Sequence, residues 1–180
     1  IIFMKKRAHI IILTFIGLVL FSRFIFIDIR PLHHDEGVNY LFAKKIITER
    51  TFQYDPINYH GPSYFFLIAL SFLLFGVSVF SLRLPAILAG MALSLSPFFL
   101  KFRSNSKTYL TSLLLIISPS LFYYSRYSIH EILFVFLTLI YFFSLTKIIE
   151  RRNLQYLPFF AVSLALMMVT KETAILSIFP

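Results

Sequence analysis

The chain has 180 residues, 58% of them hydrophobic and only 14% charged, with a mean hydropathy of +0.82 and a formal net charge of +9. A soluble domain carries roughly a quarter charged residues, so the composition excludes a water-soluble enzyme and predicts an all-α polytopic membrane protein. The basic residues fall mostly between apolar runs and serve as topology signals, not as a nucleic-acid footprint, and without cysteine there is neither a disulfide nor a thiolate metal site.

Lys5, Lys6 and Arg7 precede an apolar run from Ala8 to Ile27 that Arg23 interrupts. About 20 residues suffice to span a bilayer, and no clear small-residue cleavage site follows. The run is therefore predicted to be an uncleaved first span with its basic cluster in the cytoplasm. Arg23, near the far end, either snorkels outward or faces a polar site. His33-His34-Asp35-Glu36 then forms the most strongly polar island of the chain. Four proton-binding groups just beyond a span mark a candidate active site, against the plainer reading of a solvated acidic loop.

Val38, Leu41, Phe42 and Ile46 recur on one helical face, with Lys45 intruding. This segment is too short and polar to span and is predicted to lie in the interface plane. Tyr54-Asp55-Pro56 and His60-Gly61-Pro62 signal loop and turns, so residues 28–62 are expected to be an external loop with interface helices.

Apolar runs follow at Ser63–Leu82 and Leu84–Leu100, separated by Arg83, and then at Tyr109–Tyr123, Ile132–Leu145 and Tyr156–Pro180. A second polar island, Tyr124 to Glu131, precedes the fourth of them. The predicted spans are 8–27, one net crossing within 63–100, 108–123, 131–146 and 155–178. One net crossing puts the basic clusters at 5–7, 101–107 and 147–152 on the cytoplasmic side, as the positive-inside rule prefers. It also brings Asp35-Glu36 and Arg126…Glu131 to one face. Which of the two runs within 63–100 makes the crossing is left open. The chain opens on Ile1-Ile2 and stops at Pro180 just after an apolar run. It is expected to be part of a longer protein and inactive by itself.

His33-His34-Asp35-Glu36-Gly37, Tyr54-Asp55-Pro56, Tyr59-His60-Gly61-Pro62, Arg83-Leu84-Pro85 and Ser118-Pro119…Tyr123-Tyr124-Ser125-Arg126 resemble, in order and spacing, the amino-terminal half of GT-C membrane glycosyltransferases. The likeness runs from about His33 to Glu131. It is strongest to the protein O-mannosyltransferase and aminoarabinose-transferase branch, and within it to the archaeal-type "flippase activity-associated" membrane proteins. The resemblance implies a GT-C-like helix bundle of the plasma membrane with an extracytoplasmic active site. It implies acids important for catalysis in the first two external loops, and a polyprenyl-phosphate-linked sugar as donor.

Under that resemblance the catalytic set is Asp35, Glu36 and Glu131. Asp35 matches the first-loop acid and is the expected base for the acceptor hydroxyl. Glu36 orients it, or simply favours the positive end of the in-plane helix. Glu131 stands where the family usually has aspartate. The substrate-binding set is His34, His60, Arg83, Arg126 and Lys171. A guanidinium at Arg126 can grip phosphate in bidentate fashion, against the plainer reading of a snorkelling helix end. Arg83 reaches the same site only if Ser63–Leu82 does not cross. Lys171-Glu172 lies inside an apolar run, where an unpaired charge costs about 2.5–3.5 kcal/mol near the bilayer centre, so it pairs with other charges or binds the lipid phosphate.

His33, His34 and His130, with the carboxylates, form a candidate set for a divalent metal. No recurring metal spacing is present, and no cofactor is expected. The acceptor is a protein hydroxyl or a glycolipid. The alternative is a non-catalytic GT-C-like membrane protein that assists assembly or flipping of lipid-linked glycans. An ion-coupled transporter is disfavoured because no internal repeat is visible.

Overall fold

The computed structural model describes residues 2–57, 60–100 and 104–178, with the side chains of residues 2–8 and 177–178 left out. Tyr59, Lys101, Arg103 and the side chains of Lys5, Lys6 and Arg7, used above as motif and topology signals, lie outside the described residues. The helices are α1 (Ile2–Phe24), α2 (His34–Glu49), α3 (Ser63–Phe75), α4 (Val79–Leu100), α5 (Asn105–Ile117), α6 (Pro119–Tyr124), α7 (His130–Arg151), α8 (Leu157–Thr170) and α9 (Ala174–Ile178), with a 3₁₀ turn at Leu154–Tyr156. No strand forms among the described residues; a lone bridge joins His60 to Lys171. The protein is an all-α membrane fold.

Ring pairs give the helix directions. Phe24 meets Phe80 and Phe15 meets Phe98, so α1 and α4 run antiparallel. α5 returns along α4, with Tyr109 against Phe98 and the Ser112 hydroxyl donating to the Ser94 carbonyl at 2.6 Å. α7 and α8 are antiparallel, through Tyr141 with Phe160 and Phe143 with Tyr156. One end of the bundle therefore gathers the last turn of α1, the first turns of α4 and α7, and the last turns of α5 and α8. Lys107, Lys147, Arg151 and Arg152 lie toward the opposite end.

α3 does not connect these two ends. Its first residue, Ser63, meets Thr170 at the end of α8, and Tyr64 meets Ser128. It then runs antiparallel along α2, with Phe42 stacked on Phe65 and Tyr40 against Phe72. α4 begins again at the same end, where Arg83 meets Glu36. At 13 residues α3 is about 20 Å long. α4 and α7, with 22 residues each, are long and apolar enough to cross a membrane; α1 contributes a shorter apolar stretch at His9–Phe24.

Besides the split of the run predicted over 108–123 into α5 and α6 at Ser118, where Pro119 starts the new helix, two boundaries differ from the sequence reading. The helix break falls at Gly76–Ser78, and Arg83 sits inside α4. The backbone N–H groups of Ser78 and Ser81 donate to each other's hydroxyl oxygens at 3.0 and 3.1 Å and cap the new helix reciprocally. The run predicted over 155–178 is also not one helix. α8 stops at Thr170, and Lys171 has extended backbone. In both places a charge finds a carboxylate partner, so the polar residue marks a helix interior in one case and a helix end in the other.

The main core joins Ala43 of α2, Tyr64, Ile68 and Phe72 of α3, Leu82, Ala86 and Leu93 of α4, and Ile132 of α7. A Cβ on Gly90 would overlap the Ser125 side chain, so only glycine lets the 125–129 loop sit this close to α4. Leu70, Leu73, Phe75, Leu114, Phe159 and Val162 are exposed. So broad an apolar exterior suits lipid rather than water.

Candidate active site

The first polar island starts α2, and its chemistry follows from the capping. His33 is the N-cap, and its ring accepts the Asp35 N–H at 3.3 Å. Three residues on, the Glu36 carboxylate turns back to accept the His33 N–H at 3.1 Å, which closes a capping box. This rotation points Glu36 inward and leaves Asp35 outward. Glu36 is fully buried, whereas the Asp35 side chain is 61% exposed, with the His33 Nδ1 at 3.5 Å from its carboxylate.

Inside, Glu36 faces Arg83 of α4. The Nε and Nη2 of Arg83 donate to the two carboxylate oxygens, each at 2.8 Å. Glu36 also accepts the Ser128 N–H at 2.9 Å. Arg83 donates further to the carbonyls of Ile27, Arg30 and Pro31. Burial pushes the Glu36 carboxyl up. The hydrogen bonds from Arg83, Ser128 and His33, with the Arg83 charge, outweigh it and hold the carboxyl below the usual carboxylate range. The pair thus ties the end of α1, the start of α2, α4 and the loop before α7 into one unit. Arg83 has its donors turned to protein acceptors.

Above this unit lies a polar cleft of about 210 Å³, lined by His34, Asp35, Asn39, His60, His130 and Glu131, with Val38, Ile57 and Ile129. The two polar islands and the His60 turn therefore meet, although up to 97 positions separate them in sequence. His130 is buried, with His60, Tyr64 and Phe65 packed around its ring at 4.3, 4.8 and 5.0 Å between centroids. Its Nε2 meets no hydrogen-bond partner among the described residues. Glu131 accepts a hydrogen bond from the Lys171 ammonium at 2.7 Å. Lys171 is thus a helix-end residue joined to the cleft through Glu131.

The loop before α3 is held down against the end of α8. The Gly61 N–H donates to the Thr170 carbonyl at 3.2 Å, and the hydroxyls of Ser63 and Thr170 lie 2.7 Å apart. A Cβ on Gly61 would overlap the Val169 carbonyl, so glycine is required for this approach. The Tyr54 hydroxyl donates to the Glu172 carboxylate, and this bond raises the Tyr54 phenol.

Arg126 is not among the residues lining the cleft. It donates to the Ile25 carbonyl at the end of α1 and stacks on Phe122. Arg23 does not snorkel outward. It is fully buried, with its guanidinium reaching Ile116 and Ser94. Among the described residues no group of three or more His, Asp or Glu side chains is placed to hold a metal; His34 and His130 line the cleft, and His33 is not among its lining residues.

Two supporting residues went unread in the sequence. Asn39 donates to the Ser128 carbonyl at 2.6 Å, and the Tyr64 hydroxyl lies 3.1 Å from the Ser128 hydroxyl. Only Asn39 carried a signal, since it stands three positions from Glu36 on the same helical face. A larger apolar groove of about 540 Å³ runs along α4, α5 and α7, lined by Leu93, Leu115, Leu121, Ile132 and Val135, and Glu131 borders it as well as the cleft.

Residues 59–180 match the dolichyl-phosphate-mannose-protein mannosyltransferase family. The matched stretch contains His60, Arg83, Arg126, Glu131 and Lys171, while Asp35 and Glu36 precede it. No curated protein and no solved structure matches the chain.

Proposed function

The chain belongs to the dolichyl-phosphate-mannose-protein mannosyltransferase family, membrane glycosyltransferases of the GT-C type, and we propose that it moves a sugar from a polyprenyl-phosphate-linked donor to a protein hydroxyl or glycolipid. In this reading the chemistry takes place in the polar cleft, on the extracytoplasmic face of the plasma membrane. The observation that carries it is the position of Glu131, which borders both the cleft of His34, Asp35 and His60 and the apolar groove beside α7. A donor with a polar head and a long apolar tail needs such a junction.

Asp35 accepts the proton of the acceptor hydroxyl, being exposed, with no lysine or arginine ion pair among the described residues and the His33 ring at 3.5 Å beside it. The acceptor oxygen then forms its bond to the anomeric carbon, and the bond from that carbon to the phosphate oxygen breaks. The electron pair leaves on the phosphate, whose added charge Lys171 stabilises beside Glu131. His34 and His60 bind the donor head from the facing walls. Glu36 and Arg83 act as positioning residues through the capping box and the backbone of α2.

In the full-length protein, in its own host, Asp35→Asn at normal membrane abundance is expected to reproduce the surface-glycan defect of a deletion strain and to accumulate lipid-linked sugar, read by mass spectrometry. Normal glycans in the variant, lost only in the deletion, would establish the non-catalytic alternative. For sidedness, a single cysteine at His34 should react with an impermeant thiol reagent from outside. One at the exposed Leu154, at the opposite end, should react only after the membrane is opened. The reverse pattern overturns the extracytoplasmic assignment.

A further inference from the structure

Three arginines that do not line the cleft stand together around the rings of Phe122, Tyr123 and Tyr127. Arg23 and Arg126 flank the ring of Phe122 at 5.3 and 4.9 Å, and Arg30 lies over Tyr123 and Tyr127 at 4.4 and 4.1 Å. No carboxylate among the described residues pairs with any of them, whereas Glu36 and Glu131 hold Arg83 and Lys171.

Arg23 is the sharpest member. It is fully buried, and among the described residues its hydrogen bonds are long, 3.4 and 3.3 Å to Ile116 and Ser94, and its Nε has no partner. Burial, then the charges of Arg30 and Arg83, hold the Arg126 guanidinium below its usual range. Neighbouring guanidinium groups, one of them buried, repel one another unless an anion lies among them. Phosphate fits best, because its oxygens accept from several guanidinium forks at once.

We propose that Arg23, Arg30 and Arg126 form a phosphate-binding site, apart from the acid cleft, that takes the headgroup of a membrane phospholipid. The apolar surface beside it supports a lipid source. Phe21, Leu114 and Ile117 are exposed next to Arg23 and Ile116, and Tyr123 and Tyr127 supply the aromatic setting usual at a bilayer interface. The assignment does not rest on the chemistry proposed for Asp35.

The test uses the full-length protein in dodecylmaltoside micelles with a fluorescent phosphatidic acid as probe. Saturable binding is expected, weakened about ten- to a hundredfold by Arg30→Gln and by Arg126→Gln, with partial retention in Arg126→Lys. Asp35→Asn should bind as the wild type does, which separates this site from the cleft. Where Arg23→Gln does not fold, the two more accessible arginines still decide the matter. Displacement of the probe by millimolar inorganic phosphate keeps the site and assigns it to a soluble phosphate. Equal binding of diacylglycerol, no binding to the wild type, or no change in the Arg30→Gln/Arg126→Gln double variant overturns the proposal.

Discussion

Glu36–Arg83 and Glu131–Lys171 are both close carboxylate–cation pairs, at 2.8 and 2.7 Å, at the same end of the bundle. In the first the side chains are 0% and 1% exposed, and in the second 43% and 21%. The buried pair is saturated by two backbone N–H groups and three carbonyls, so removing either partner strands a charge. The half-exposed pair is screened and adds little to folding. The difference teaches which carboxylate is free to act. Glu36 has its carboxylate turned to Arg83, Ser128 and His33, as suits the positioning role proposed for it, while Glu131 keeps an open side toward the cleft and the groove.

The largest effect expected from this contrast is at Asp35, which belongs to neither pair. Asp35→Asn should lower transfer by about 10²–10⁴-fold while leaving stability within about 0.5 kcal/mol, as for an exposed substitution. A comparable loss of stability would show that Asp35 is scaffold too. Next comes Glu36→Gln, which should destabilise the full-length protein by about 3–5 kcal/mol in detergent unfolding, because it leaves Arg83 buried and unpaired.

The same pair predicts a pH dependence. The Glu36 carboxyl is held below its ordinary value of about 4.5, so its stabilisation is fully present above that value and fades as pH falls through the lower folded-state value. Wild-type stability should therefore drop on acidification below about 4.5, and the Glu36→Gln variant should lack this component. Equal slopes for both proteins would break the assignment.

Lys171→Met should slow transfer by about ten- to a hundredfold and change stability by no more than about 1 kcal/mol, measured on the same preparation. A large loss of stability with unchanged rate would make Glu131–Lys171 the structural pair. The smallest effect is expected for Tyr54→Phe. It removes an exposed bond to Glu172 and should leave the unfolding midpoint unchanged.

The helical class, the membrane setting and the two polar islands were legible from hydropathy and charge. The capping of α2 was half legible, since an acid three positions after its N-cap has a mechanism in sequence. The break between α3 and α4 was not. An arginine in an apolar run looks like an interruption until its carboxylate is found 47 positions earlier. The end of α8 was hidden for the complementary reason, because nothing local tells a helix end at Lys171 from a charge tolerated within a span.

The sequence by itself determined what this protein is made to sit in and which residues carry charge there, because burial in lipid and charge placement at helix ends act over a few turns of chain. Only the tertiary structure decided which charges meet. It turned Glu36 inward to Arg83, set Asp35 and Glu131 along one cleft, and drew Arg126 away toward Arg23. Those outcomes depend on helix directions and on close approaches at Gly61 and Gly90, contacts between segments tens of residues apart that no local pattern encodes.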